Sequence, residues 1–248
     1  MLSYIFMLFA VIHLVIWFWG WKLWSETGRP VSLFLVLFGG TLLFYDNLRI
    51  GIGRFLGEGD LLYALSQPAF AWHWSLLPLL VIAAGSIARQ ADFGWAKNRI
   101  VMGAFCVVAV ALSAHDIPKI FSMQLYPACL ADTVRYTTAV SEAQVCPGGV
   151  VVPQTAGAEA ALVAIITNII VLGVGIALWV RHRWPWMAVG SGLMFVAAGA
   201  GGASPWALPI ANLGEICITL GMIVTCAHFA RRAGGPRQTP AAALRQVA

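Results

Sequence analysis

Charge is what this chain has least of. Only 10% of its 248 residues are Asp, Glu, Lys or Arg, against 60% hydrophobic. Soluble domains carry about a quarter charged residues, so an ordinary water-soluble core is excluded and the chain reads as an integral membrane protein. Other absences narrow the function. No basic segment interleaved with aromatics offers a nucleic-acid groove, so no nucleic-acid partner is expected. No Cys and His spacing forms a zinc site and no two histidines stand one helical turn apart, so no metal is expected. GIGRFLG at 51–57 lacks the preceding strand and the spacing of a phosphate loop. DFG at 92–94 stands without any other kinase signature. The last apolar segment has no lysine to hold retinal, and no cofactor is implied.

What is present is apolar runs near the length of about 20 residues that spans a bilayer. Seven such segments fall at 2–24, 31–50, 70–89, 99–121, 157–180, 185–202 and 207–230. The first has no positive leader and ends in WFWGWKLW rather than in small residues fit for cleavage, so it reads as a retained helix. With the N-terminus outside, Lys22, Arg29, Arg89, Lys97, Arg99, Arg181, Arg183, Arg231, Arg232, Arg237 and Arg245 all fall on the cytoplasmic side, eleven of the fifteen basic residues. The expected fold is therefore all-α: a polytopic protein whose residues 1–230 form one seven-helix transmembrane domain, N-terminus outside and C-terminus cytoplasmic. Residues 231–248 form a basic cytoplasmic tail. The exceptions, Arg49, Arg54, Lys119 and Arg135, lie beside carboxylates of the outer connections and are candidates for pairing. Cys129 and Cys146 share the long outer loop 122–156, where an oxidising face favours a disulfide. Closing that loop stabilises it by about 3 kcal/mol in the chain-entropy model, with two free thiols as the alternative.

An ionisable residue inside a spanning segment is costly and marks a functional candidate. His13, Asp46, His73, His115, Asp116, Glu159 and Glu215 qualify. At a rise of about 1.5 Å per residue, Asp46, His115, Asp116, His73 and Glu215 all fall in the outer half of the bilayer, as a shared outward-facing pocket requires. Asn212, Glu215 and Thr219 are spaced three and four, so they line one face of an otherwise apolar helix. An acid on so narrow a stripe faces the bundle interior and is placed to donate a proton. Thr41 and Tyr45 share a face of the second helix, and Asp46–Arg49 and Asp116–Lys119 are spaced to pair. Structural ion pairs, a packing histidine at His13 and a helix N-terminal acid at Glu159 are the bland alternatives. The glycines after Asp46 are poor helix formers, so RFLGEGDLLYAL is expected as a turn or short interfacial helix lidding the pocket, or as a plain connector. Pro78, Pro118 and Pro209 are expected to kink their helices near the polar groups.

YDNLRIGIGRFLGEGDLLYAL at 45–65, followed by WHWSLLPLL at 72–80, resembles a pattern of small multi-helix bacterial membrane proteins of unassigned function. That resemblance implies a multi-pass protein of the bacterial inner membrane and no particular chemistry. In size and helix number the chain is also similar to small integral-membrane terpene cyclases, seven-helix proteins that use membrane-embedded acids to protonate an olefin or epoxide. NLGE at 212–215 echoes part of their asparagine–alanine–tryptophan–glutamate motif on a different helix, so no residue role is carried over.

The expected function is an enzyme acting on a lipophilic substrate, with an isoprenoid as the candidate, by acid–base chemistry of the lyase or isomerase kind. Eleven tryptophans and thirteen phenylalanines supply ring faces that stabilise a cation. Glu215 is the expected proton donor, Asp46 a second acid or base and His73 a shuttle. Asn212, Asn47, Tyr45, Thr219, His115 and Asp116 are expected to bind substrate, with Asn212 holding Glu215. The expected partners are membrane lipids and a lipophilic small molecule. A proton-linked carrier, a ligand-binding sensor and a structural subunit of a membrane complex are the alternatives.

Overall fold

The computed structural model describes residues 1–153, 157–199 and 206–233, with the side chains of 157–161 excluded. Of the described residues, 79% are helical. Its helices are α1 (Leu2–Glu26), α2 (Val31–Leu56), α3 (Asp60–Leu76), α4 (Leu79–Gln90), the short α5 (Gly94–Lys97), α6 (Arg99–Phe121), α7 (Gly157–His182), α8 (Trp186–Gly199) and α9 (Ala207–Ala233). Among the described residues, α1, α2, α6, α7 and α9 are each long and apolar enough to cross a membrane. With no water to satisfy N–H and C=O groups in hydrocarbon, helices of this length are what such sequences must form. The third expected segment is a broken pair: α3 and α4 meet at 42°, where Pro78 has no N–H to continue the ladder. The sixth, α8, has 14 described residues and is shorter than a full span. The tail beyond Ala233 and the Glu159 side chain lie outside the described residues.

One local expectation is corrected, and one loop holds structure that the sequence did not indicate. First, the glycine-rich stretch after Asp46 does not leave the helix: α2 continues unbroken to Leu56. Each helical glycine costs about 1 kcal/mol against alanine, and tertiary contact offsets that cost. A Cβ on Gly51 would stand 2.7 Å from Met7 Cγ and 2.9 Å from Met7 N, and one on Gly53 would overlap the Val134 carbonyl oxygen. The chain turns only at Gly57, in the left-handed region at φ 69°. The expected interfacial lid is therefore the start of α3, a continuous helix from Asp60. Second, the outer loop is not featureless. It holds an antiparallel hairpin, β1 (Tyr126–Leu130) with β2 (Thr133–Thr137). Single bridges, Ala128 to Val145 and Val140 to Val152, extend it. The Cys129–Cys146 disulfide closes it, with Cα atoms 4.9 Å apart.

This hairpin is docked onto one end of the bundle by specific bonds. Asp132 at its turn accepts from the Leu2 N–H at 2.7 Å and pairs with Arg54 at 2.8 Å and with the Met1 ammonium at 2.5 Å. It thus caps the positive end of α1. Ser3 donates to the Asp132 carbonyl, and Tyr136 OH accepts from the Gly59 N–H. The densest packing lies at the other end, where Leu33, Leu37, Ile87, Leu178, Met187 and Met222 are fully buried. There α8 and α9 touch closely through glycines, since a Cβ on Gly221 would lie 2.5 Å from the Trp186 carbonyl oxygen. Small residues that let backbones approach are how membrane helices associate.

Two measurements check this docking. Gly53→Val pushes β2 off α2 and is expected to lower thermal stability by about 1–3 kcal/mol, with faster reduction of the Cys129–Cys146 bond by a soluble thiol. Unchanged melting and reduction would contradict the close approach. Burial opposes ionisation of Asp132, but its hydrogen bonds from the Met1 ammonium and the Leu2 N–H outweigh this and hold the carboxyl below its ordinary range. A carboxyl lowered in the folded state contributes fully above its unfolded value of about 3.9 and loses that contribution as pH falls through the folded one. The melting midpoint is therefore expected to drop below about pH 4, and Asp132→Asn is expected to lack that part of the drop.

Candidate functional site

A cavity of about 280 Å³ lies between α2, the α3–α4 break, α7, α8 and α9. On α2 it runs from Val36 to Leu43, and Gly39 and Gly40 leave that wall without side chains. The nearest atom to a Cβ on either glycine would be 3.9 Å away, so the space beside them is open. Leu77 and Leu80 flank the helix break, and Phe195 and Met194 close the α8 side. Five polar side chains interrupt this apolar wall: His73, Thr167, Asn168, Glu215 and Thr219.

Their hydrogen bonding separates them into two kinds. Asn168 is spent on structure: its Nδ2 donates to the Ser191 carbonyl at 3.3 Å, and the Ser191 hydroxyl donates back to Asn168 Oδ1 and carbonyl oxygen. That reciprocal lock joins α7 to α8 behind the cavity. Thr167 Oγ1 and Glu215 Oε2 are buried without a partner. Buried polar atoms in folded proteins are satisfied in the great majority of cases, so two bare ones in one apolar cavity mark the place for a bound molecule or water. His73 likewise makes no hydrogen bond or ion pair among the described residues and lines the same cavity. Asp46 and Asp116 both lie within electrostatic range of His73, and Asp46 within range of Glu215.

The polar groups expected at one depth occupy two tiers. Thr219 is the nearest group to where a Cβ on Gly40 would stand, across open space, and this gives the register of the antiparallel α2 and α9. Asn47 and Asn212 each stand seven residues from that pair, so both lie about 10 Å nearer the hairpin. In this upper tier Asp46 does not line the cavity. Its carboxylate is held by Arg49, Nη2 at 2.5 Å and Nε at 3.2 Å. Asn47 and Asn212 donate to their own helices, at the Leu43 and Leu208 carbonyls, and Asn212 makes no bond to Glu215. Tyr45 OH donates to the Leu65 carbonyl at 2.6 Å, tying α2 to α3. On α6, Asp116 is buried and held by Lys119 at 2.7 Å and by His115 at 3.0 Å, and His115 is half exposed. These two pairs have the geometry of structural ion pairs. Of the expected site residues, the fold thus gathers Glu215, His73 and Thr219 around one cavity and leaves the others outside it.

Sequence reasoning passed over Thr167 and Asn168, and Arg135, a candidate for pairing, has no carboxylate partner among the described residues. Adjacent polar residues inside AIITNIIVL were the available signal for the first two. Glu58, Cys129 and Cys146 bring three potential metal ligands within 4.8 Å, but the two sulfurs are joined to each other and offer no thiolate. No family profile, curated protein or solved structure matches this chain.

Thr167→Val removes a hydroxyl that bonds to nothing, so it is expected to leave the melting midpoint unchanged or raised. A loss of more than about 1 kcal/mol would mean that the hydroxyl is satisfied inside the protein.

Proposed function

We propose that this protein is a membrane-embedded acid–base enzyme, and that the cavity binds a compact lipophilic substrate. The observation that carries the reading is that two acid–base groups from different helices, Glu215 on α9 and His73 on α3, line one apolar cavity, with Glu215 Oε2 buried and without a partner among the described residues. Its volume stands near the lower end of small-molecule pockets, which suits a short hydrocarbon body such as an isoprenoid unit. The chemistry is a proton-balanced isomerisation. Glu215 gives its proton to one carbon of a double bond, the apolar wall with Phe195 shelters the cation formed on the other carbon, and His73 removes a proton from the carbon on the far side of that cationic centre. Return of that proton from His73 to Glu215 resets the site, so no other reactant is consumed.

The distribution of Lys and Arg supports seven spans with the N-terminus and hairpin outside, in a bacterial inner membrane. On that topology α8 belongs to the sixth span. The fully packed core below the cavity, around Leu37, Leu178 and Met222, favours an enzyme over a carrier, since a transport route would need polar groups through it.

Native mass spectrometry of the detergent-purified chain tests this. A lipophilic adduct is expected in the wild type, absent from Gly39→Val/Gly40→Val, which fills the cavity without touching either acid–base group. In Glu215→Gln the adduct is expected to persist at the same mass, since isomerisation leaves mass unchanged, and chromatography of the extracted lipid is expected to show one isomer where the wild type holds a mixture. Bare protein in every case, after solubilisation in several detergents, would overturn the reading.

A further inference from the structure

Four basic residues stand at the hairpin end of the bundle, and three have carboxylates. Arg49 holds Asp46, Arg54 holds Asp132 and Lys119 holds Asp116. The fourth, Arg135 on β2, makes no hydrogen bond and no ion pair among the described residues, and its Nε is buried without a partner. Directly across the ladder stands Ala128, which carries no charge and leaves room. The charges that act on Arg135 are the Arg49 guanidinium and the Asp46 carboxylate. Asp46 is already engaged by Arg49, whose Nη1 is spent on Ser66 Oγ and the Tyr136 carbonyl, both at 3.1 Å. Two guanidiniums therefore share one carboxylate under the hairpin, and the cluster carries an excess positive charge.

Burial, with Arg49 adding to it, pushes Arg135 down to about 10, which still leaves it protonated at neutral pH. Arg135 is half-buried, with Nε out of solvent and unpartnered while its terminal nitrogens are not buried, and a partly desolvated cation gains from a counter-ion. Nothing in the described chain pairs this one. A guanidinium presents its donors in a planar fork that matches two oxygens of a phosphate or carboxylate group.

We infer that Arg135, backed by Arg49, is the recognition element of a binding site for a phosphate-type oxyanion at the hairpin end of the bundle. Such a group is available as the headgroup of an anionic membrane lipid or as free phosphate. The Arg135 fork supplies the direct contacts, and Arg49, saturated by its own partners, supplies field rather than bonds. The site is separate from the cavity and does not depend on the reaction proposed there.

The test is thermal unfolding of the full chain in detergent, with four additions compared. Phosphatidylglycerol is set against phosphatidylcholine of the same acyl chains, and sodium phosphate against sodium chloride at equal ionic strength. The wild type is expected to melt higher with phosphatidylglycerol than with phosphatidylcholine. If phosphate reproduces the shift, a free oxyanion suffices; if only the lipid does, the headgroup is the ligand. Arg135→Gln is expected to weaken the response at least tenfold in concentration while melting no lower than wild type without anion, because it deletes an unpaired charge. Arg135→Lys is expected to restore part of the response, and Arg54→Gln, which removes the same charge elsewhere on this end, to keep all of it. Equal responses in wild type and Arg135→Gln, or no anion effect in wild type, would overturn the site. So would destabilisation of Arg135→Gln without anion, since that requires an internal partner.

Discussion

One buried guanidinium fixes the arrangement at the hairpin end. Arg49 is 3% exposed, and it reaches Asp46 on its own helix, Ser66 on α3 and the Tyr136 carbonyl on β2. A charge in so apolar a setting must be neutralised and fully hydrogen-bonded or it destabilises the fold by several kcal/mol. Satisfying Arg49 therefore draws three elements to one point. Its bond to Ser66 also sets the rotation of α3 about its axis. His73 lies seven residues on, two helical turns along the same face, so the contact that docks α3 also helps aim His73 at the cavity.

The same constraint explains why Asp46 and Glu215, both acids inside apolar helices, have different fates. Asp46 has a cation one turn away and is consumed by it. Glu215 has none on α9, and its neighbours across the cavity are apolar or neutral. An acid left bare at such a place is chemically available, whereas an acid clamped by arginine is a strut. The two tiers divide labour accordingly: the upper, about 10 Å above Thr219 and about 4.5 Å above Glu215 along α9, holds the hairpin and bundle together, and the lower is left open for a ligand.

Space in the lower tier is made by backbone features as much as by side chains. Gly39 and Gly40 remove the wall on α2, and the 42° break at Pro78 bends α3 away from α4 beside it. Elsewhere glycines do the opposite and close gaps, as Gly51 and Gly53 do against α1 and β2 and Gly221 does against α8. The residue is the same, and what differs is whether a neighbouring backbone has moved into the vacated volume. Local sequence holds no record of that choice.

By itself the sequence determined the membrane setting, most of the helical segments and the acid stripe on α9, and it left the Cys129–Cys146 link open beside two free thiols. The first three follow from composition and from spacings of three or four residues, which act through local geometry and solvation. Helix ends were less legible, because the GIGRFLG glycines read as a break from propensity alone and only contact with Met7 and Val134 keeps them helical. Tertiary structure alone decided which polar groups share a cavity, because Thr167, His73 and Glu215 are far apart in the chain and meet only through helix rotation and register. It also decided that Asp46 is tied up while Arg135 is not. Both carry full charges in outer segments, and pairing depends on which partner comes within about 4 Å, a distance that only the packed fold sets.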